Sequence, residues 1–214
     1  MVSTTVHLLR HGEVFNPQGV LYGRLPGYGL SELGHEMARR VAKHLVDQDR
    51  DVVRVVASPL QRAQETAAPL VETLGLELAT DDRLIEAQNH FEGLTFGVGE
   101  GSLKHPKHWR HVWNPFLPSW GEPYTAQVAR MRAAVEDARR AVEGHEIVLV
   151  SHQLPVWLTR SSFEGRRLWH DPRNRQCTLA SLTSLTFEDD RFVRLHYSEP
   201  VADLLPGASP VPGA

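Results

Sequence analysis

An apolar run ending in Leu8-Leu9-Arg10-His11-Gly12-Glu13 puts a cation, an imidazole and a flexible backbone together at a strand end. Those are parts for holding a phosphate dianion and attacking it. One arginine is too little charge for a dianion, and a departing alkoxide needs a proton. The rest of the chain must therefore supply a second arginine, a second histidine and a carboxyl acid. It contains all three.

The elements that would position them follow from hydrophobic pattern and capping signals. Val6 to Leu9 reads as a short buried strand, with Arg10 opening its functional loop. The Gly- and Pro-bearing stretch from Asn16 to Gly29 is a loop long enough to suggest binding. Ser31 is placed to cap a helix reaching about Val46, with Leu33, Met37, Val41, Ala42 and Leu45 on its apolar face. Val52 to Ala57 is a second buried strand. Ser58-Pro59-Leu60-Gln61 combines an N-cap, a proline at the first helical position and a capping-box glutamine, so a helix should run to about Leu74. Leu76 to Leu78 and Arg83 to Ile85 read as short extended pieces. Periodicity vanishes from Gln88 to Tyr124 and resumes as a helix over Thr125 to Val142. Glu146 to Val150 is a third apolar strand ending at Ser151-His152, followed by a helix from about Pro155 to Phe163. Leu179 to Phe187 and Phe192 to His196 alternate as two late strands around an Asp189-Asp190 turn.

Alternating strands and helices predict an α/β fold: a three-layer sandwich whose mostly parallel central sheet is flanked by helices. Ligands in such sheets sit beyond the carboxyl ends of the strands. Arg10-His11, Ser58 with Arg62, and His152 each follow a predicted strand, so three segments aim polar chemistry at one edge. One domain over residues 1–205 is expected, with an irregular lid insertion at about 88–124 and a disordered Pro/Gly/Ala tail at 206–214.

Composition narrows the function classes. The chain has 214 residues, 41% of them hydrophobic, which suits one domain with an ordinary core. A net charge of -3 makes no electrostatic case for nucleic acid or for a membrane surface. The start of the chain carries no apolar leader, and no run approaches a membrane span; a soluble, cytoplasmic protein is expected. The lone Cys177 excludes an internal disulfide framework. Twelve histidines raise the question of metal, but His105, His108 and His111 are spaced to diverge around a helix, and no zinc-ligand motif accompanies them. No metal and no cofactor are expected.

Leu9-Arg10-His11-Gly12-Glu13 with Asn16 resembles the opening motif of the histidine phosphatase (phosphoglycerate mutase-like) superfamily. Ser58-Pro59-Leu60-Gln61-Arg62-Ala63-Gln64-Glu65-Thr66-Ala67 is similar to its second motif, and Val150-Ser151-His152 to its third. Arg83-Leu84-Ile85-Glu86 with Phe91-Glu92-Gly93-Leu94 resembles the segment that carries the proton donor. The matches run in family order over residues 8–152. The resemblance implies that His11 attacks phosphorus and forms a phosphohistidine, with Arg10 and Arg62 gripping the phosphate oxygens. It implies a protonated His152 that stabilises the equatorial oxygens, and Glu86 as the acid that protonates the leaving alkoxide and then activates water. Further candidate phosphate or substrate contacts are Gly12 through its backbone, Asn16, Gly23 and Arg24 of the long loop, and Gln153. Asn16 reads equally well as a turn residue.

This chain departs from the family pattern at three places. Val14 stands where threonine is usual, Gln153 where glycine commonly follows the second histidine, and Gly27-Tyr28-Gly29-Leu30 replaces an Asp-x-Pro-Leu segment. Each bears on substrate preference. The expected activity is a metal-independent phosphomonoester hydrolase acting on a small-molecule ester. The alternatives are a 2,3-bisphosphoglycerate-dependent phosphoglycerate mutase and a non-catalytic phospho-ligand module. The segment between Glu86 and His152 is shorter than in family mutases, and Gly101-Ser102-Leu103-Lys104 only partly echoes their substrate motif, which favours hydrolysis. Trp109, Trp113, Phe116 and Trp120 among Lys104, Lys107 and Arg110 form either a substrate lid or a satellite core. Arg166, Arg167, His170, Arg173 and Arg175 form either a second anion rim or a solvated loop. The late strands leave a homodimer open.

Overall fold

Residues alternating between two buried faces make the central strand. In β1 (Ser3–Arg10), Val6 and Leu8 point to one side of the sheet and Leu9 to the other, all fully buried. The computed structural model describes residues 1–94 and 121–209. Among the described residues the sheet around β1 has six strands, in the order β3-β2-β4-β1-β5-β6. They are β2 (Val52–Ala57), β3 (Leu78–Thr80), β4 (Glu146–Ser151), β5 (Leu182–Glu188) and β6 (Arg191–Ser198). β3, β2, β4 and β1 are parallel, and the β5–β6 hairpin joins antiparallel to β1.

Helices cover both faces, as the sequence predicts for a three-layer α/β sandwich. On one side α1 (Glu32–Asp47) and α2 (Gln61–Leu74) bury Met37, Val41, Leu45, Ala67 and Leu70 against Leu9, Val55, Val148 and Val150. On the other, α3 (Tyr124–Ala141) and α4 (Gln153–Phe163) bury Met131, Val135 and Val156 against Val6, Leu8, Ile147 and Leu149. Ser31 caps α1 as expected, its hydroxyl accepting from the Gly34 amide.

Three local expectations are corrected. Ser58 does not cap α2: the N-cap is Leu60, with no side-chain bond, and the Ser58 hydroxyl turns to His152. Asp82–Leu84 is a 3₁₀ turn and not an extended piece, because the Asp81 carboxylate accepts from the Arg83 amide and tightens the chain. The tail is ordered to Ser209: Ala202–Gly207 forms a 3₁₀ helix, with Leu204, Leu205 and Ala208 packed on the α1–α2 side of the core. The expected disorder of 210–214 and the aromatic and histidine-rich segment at 104–120 lie outside the described residues. Asn89 and Gly121 pair in an isolated bridge, so the described ends of the insertion meet.

Candidate active site

The register brings the strand ends level. Arg10 pairs with Ser151 across β1–β4, and Ala57 pairs with Val150 across β2–β4. The His11 amide then donates to the Ser151 carbonyl at 3.1 Å, and the Ser58 amide to Val150 at 2.9 Å. His11, Ser58 and His152 therefore follow three adjacent strands at one height. The His11 and His152 rings lie 5.1 Å apart. Arg62, on the first turn of α2, enters from the same edge.

These groups are taken out of water and left incompletely bonded. His11 and His152 are 0% exposed, Arg62 1% and Glu86 3%. Among the described residues, nine buried side-chain polar atoms lack a hydrogen-bond partner; Arg10 Nε, His11 Nε2, Arg62 Nε, Glu86 Oε2 and His152 Nδ1 are five of them. Buried polar groups in folded proteins are almost always satisfied, so orphans concentrated in one place mark a ligand site.

Both imidazoles are held by hydrogen bonds, and that of His11 fixes its tautomer. A carbonyl only accepts, so the 2.8 Å contact to Gly12 O puts the proton of His11 on Nδ1 and leaves the Nε2 lone pair unused. Burial, then the Arg62 and Arg10 charges, hold the His11 pKa well below the ordinary histidine value, so the ring is neutral at pH 7. His152 bonds the Ser58 hydroxyl at 2.8 Å through Nε2 and aims Nδ1 at no protein group. Burial and the charges of Arg62, His11 and Arg10 depress its pKa too. The imidazolium is expected beside a bound phosphate; without one, burial and the neighbouring cations favour the neutral ring.

Glu86 follows the 3₁₀ turn, which Ser151 ties to the strand ends by donating its hydroxyl to Leu84 O at 2.7 Å. One carboxyl oxygen accepts from the Ala87 amide at 2.8 Å. Burial pushes the Glu86 pKa up, against the opposing pull of that amide and of Arg62, Arg175 and Arg10. A carboxyl group so placed keeps its proton more readily than a solvated one, as a general acid must. The arginines are fixed by neutral acceptors: Arg62 Nη2 donates to Gly23 O at 2.6 Å and its guanidinium lies 4.7 Å over the Tyr22 ring. Arg10 Nη1 donates to Cys177 O at 2.7 Å.

The model of the histidine phosphatase superfamily (branch 1) matches residues 6–200. The chain belongs to this superfamily. An uncharacterized protein of Mycobacterium tuberculosis is 56% identical over 199 residues, covering 93% of this chain and 98% of its own. Phosphoserine phosphatase 1 of Hydrogenobacter thermophilus is 32% identical over 155 residues, covering 70% of this chain and 71% of its own. Among solved structures, a mycobacterial glucosyl-3-phosphoglycerate phosphatase superposes with TM-score 0.72 at 26% identity, over 91% of this chain and 97% of its own. Members of the superfamily are phosphatases or mutases, so this chain is an enzyme of the phosphoryl-transfer type.

Within that superfamily fold, the five residues expected to do chemistry converge, while the outer candidates take other places. The Gly12 amide donates to the Thr66 hydroxyl at 3.1 Å and is not free for phosphate. Gly12 is required for another reason: a Cβ there would lie 2.7 Å from the Gly34 carbonyl oxygen. Asn16 closes its own loop, its amide bonding Val20 N and Val20 O, which is the turn reading. Gly23 orients Arg62 through its carbonyl. Arg24 donates to Glu86 O at 2.6 Å and to Glu122 at 3.1 Å, so it braces the acid's backbone. Gln153 sits at the first position of α4, donating to Cys177 O at 3.3 Å and accepting from Arg175 at 3.4 Å. Sequence reasoning missed Ser58 as the partner of His152, although its position directly after β2 matches that of His11 after β1. Among the described residues, no group of three or more His, Cys, Asp or Glu is arranged to hold a metal ion, and no helix is long and apolar enough to cross a membrane. His105, His108 and His111 fall outside the described residues.

Proposed function

We propose that the protein hydrolyses small-molecule phosphate monoesters through a phosphohistidine on His11, with the positive charge supplied by its own arginines. The observation that carries this reading is the His11 ring: neutral, buried, its proton held on Nδ1 by Gly12 O and its Nε2 lone pair unbonded, under the charges of Arg62 and Arg10.

In the first step His11 Nε2 attacks phosphorus and the ester P–O bond breaks. The leaving oxygen takes the proton of Glu86, and Arg10, Arg62 and His152 Nδ1 meet the equatorial oxygens. In the second, Glu86 as carboxylate removes a proton from water. The hydroxide attacks phosphorus, the P–N bond breaks, and inorganic phosphate leaves with His11 neutral and Glu86 protonated again. The expected protonation states match the two pKa directions, since a neutral nucleophile and a neutral acid are both needed at the start.

The test is phosphate release from p-nitrophenyl phosphate, sugar phosphates, phosphoglycerate and nucleotides with EDTA present, alongside trapping of an acid-labile phosphoenzyme. EDTA-resistant release, with a phosphoenzyme lost in His11→Asn, is the expected result. Interconversion of phosphoglycerates that depends on 2,3-bisphosphoglycerate, with little phosphate freed, would make the protein a mutase. Full activity in His11→Asn would end the phosphohistidine reading.

A further inference from the structure

Among the described residues, Arg175 is a cation beside the candidate site that the two-step hydrolysis leaves without a task. It stands in the loop after α4, near arginines that hold carboxylates: Arg160 and Arg166 pair with Glu164, and Arg173 with Asp171. Arg175 pairs with none among the described residues. Its Nε donates to His170 Nε2 at 2.8 Å, and its Nη1 to Gln153 Oε1 at 3.4 Å. His170 is kept neutral for this contact: its Nδ1 proton goes to Leu168 O at 2.7 Å, and burial lowers its pKa. The ring also stacks on Tyr124 and meets Trp157 edge-on, which fixes its orientation. The Tyr124 hydroxyl lies beside the same guanidinium.

A guanidinium fork held by neutral acceptors keeps its charge uncompensated, a costly arrangement for a part-buried group unless an anion meets it. Burial is the leading influence on Arg175 and pulls its pKa down, as expected of a cation drawn out of water. Its place is equally informative: Arg175 and Glu86 feel each other's charge, so the guanidinium borders the site that holds the acid. A hydrogen-bonded path leads from it through Gln153 and Cys177 O to Arg10. Two cations joined by one amide side chain and one carbonyl suit two anionic groups on one short carbon skeleton.

We infer that Arg175, aligned by His170 and Gln153, is a specificity-determining residue that binds a second acidic group on the leaving portion of the substrate. The preferred substrates are then phosphate monoesters whose skeleton carries another carboxylate or phosphate. This rests on the hydrolase reading above.

The experiment compares kcat/KM for matched esters in the full-length protein. 3-Phosphoglycerate is set against glycerol 3-phosphate, and fructose 1,6-bisphosphate against fructose 6-phosphate, with p-nitrophenyl phosphate as a further one-anion substrate. Wild-type protein should favour the acid-bearing member of at least one pair, and the pair that responds names the second group. Arg175→Gln should lower that preference by about tenfold to a hundredfold, the range for a charged hydrogen bond. Arg175→Lys, which keeps charge without the fork, should recover part of it. If Arg175→Gln fails to fold, product inhibition of wild-type protein decides: glycerate should inhibit where glycerol does not. A preference unchanged within twofold in Arg175→Gln, or wild-type protein blind to the second anion, overturns the inference while hydrolysis stands. An alkaline limb of the pH profile moved upward equally for all esters would make Arg175 a tuner of Glu86, and also overturns it. No phosphate released from any ester would defeat the hydrolase reading and this inference with it.

Discussion

Ser58→Ala separates the two roles a serine after β2 can play. As a helix cap it would steady α2; as the structure has it, the hydroxyl bonds His152 Nε2 at 2.8 Å and accepts from the Leu60 amide at 3.3 Å. The hydroxyl can give its proton to Nε2 or accept the ring proton from it, and in either direction it fixes the ring's orientation with Nδ1 unpartnered. Alanine removes that restraint and leaves a nitrogen in a fully buried ring without a partner. Leaving a neutral buried group unsatisfied costs about 1–3 kcal/mol. If the contact persists through the transition state, the same range corresponds to roughly a fivefold to 150-fold fall in kcat/KM. The assay is phosphate release from p-nitrophenyl phosphate and glycerol 3-phosphate, with urea unfolding and far-ultraviolet circular dichroism on the same samples. Folded protein with helix content unchanged and kcat/KM reduced in that range is expected. Activity within twofold of wild type, with helix lost, would refute the reasoning and return Ser58 to the cap.

Three further outcomes follow from the same geometry. Glu86→Gln should slow alkyl phosphates by about a hundredfold or more and p-nitrophenyl phosphate far less, because a good leaving group needs no proton; equal loss across leaving groups would remove Glu86 as the acid. His11 and His152 both have depressed pKa values, so the unfolded chain takes up protons that the fold refuses. Stability should therefore hold above about pH 6.5 and fall as the pH drops below it, by at most about 2.7 kcal/mol per pH unit for the pair; urea midpoints from pH 8 to 5 should flatten in a His11→Gln/His152→Gln double variant, and an unchanged slope would contradict the assignment. Gly12→Ala drives a Cβ to 2.7 Å from the Gly34 carbonyl oxygen, backbone against backbone; it should cost about 1–3 kcal/mol in thermal or urea melts, and a variant as stable as wild type would show that α1 can yield.

Legibility from sequence tracked how local the cause was. β2 occupies the expected Val52–Ala57, and α1 begins after the Ser31 cap, because burial alternation and a cap three residues from its amide are written in neighbouring positions. The 3₁₀ turn at Asp82–Leu84 is not legible, because three residues carry too little periodicity to tell it from extended chain. The C-terminal Pro/Gly/Ala composition suggested disorder, yet Leu204 and Leu205 within the preceding segment anchor it to the core, and the Ser209 amide donates to Glu13 at 2.6 Å.

The sequence by itself determined the α/β layering, the family, and the placement of Arg10, His11, Arg62, Glu86 and His152 near one sheet edge. Arg10, His11 and His152 follow from a strand ending where a polar residue begins, Arg62 from its place at the start of the helix after the second strand, and Glu86 and the family from ordered motifs; the covalent chain carries all of that. What only the tertiary structure decided is which atoms remain free. Gly12, Asn16, Gly23 and Arg24 look like phosphate ligands in sequence, but partners as far away as Thr66, Arg62 and Glu122 occupy their hydrogen-bonding groups. Conversely, Ser58 and Arg175 lie 94 and 22 positions from the groups they bond, His152 and Gln153. Whether a donor is used or available depends on contacts between segments that pack only when the sheet sets their register, and no spacing along the chain encodes that.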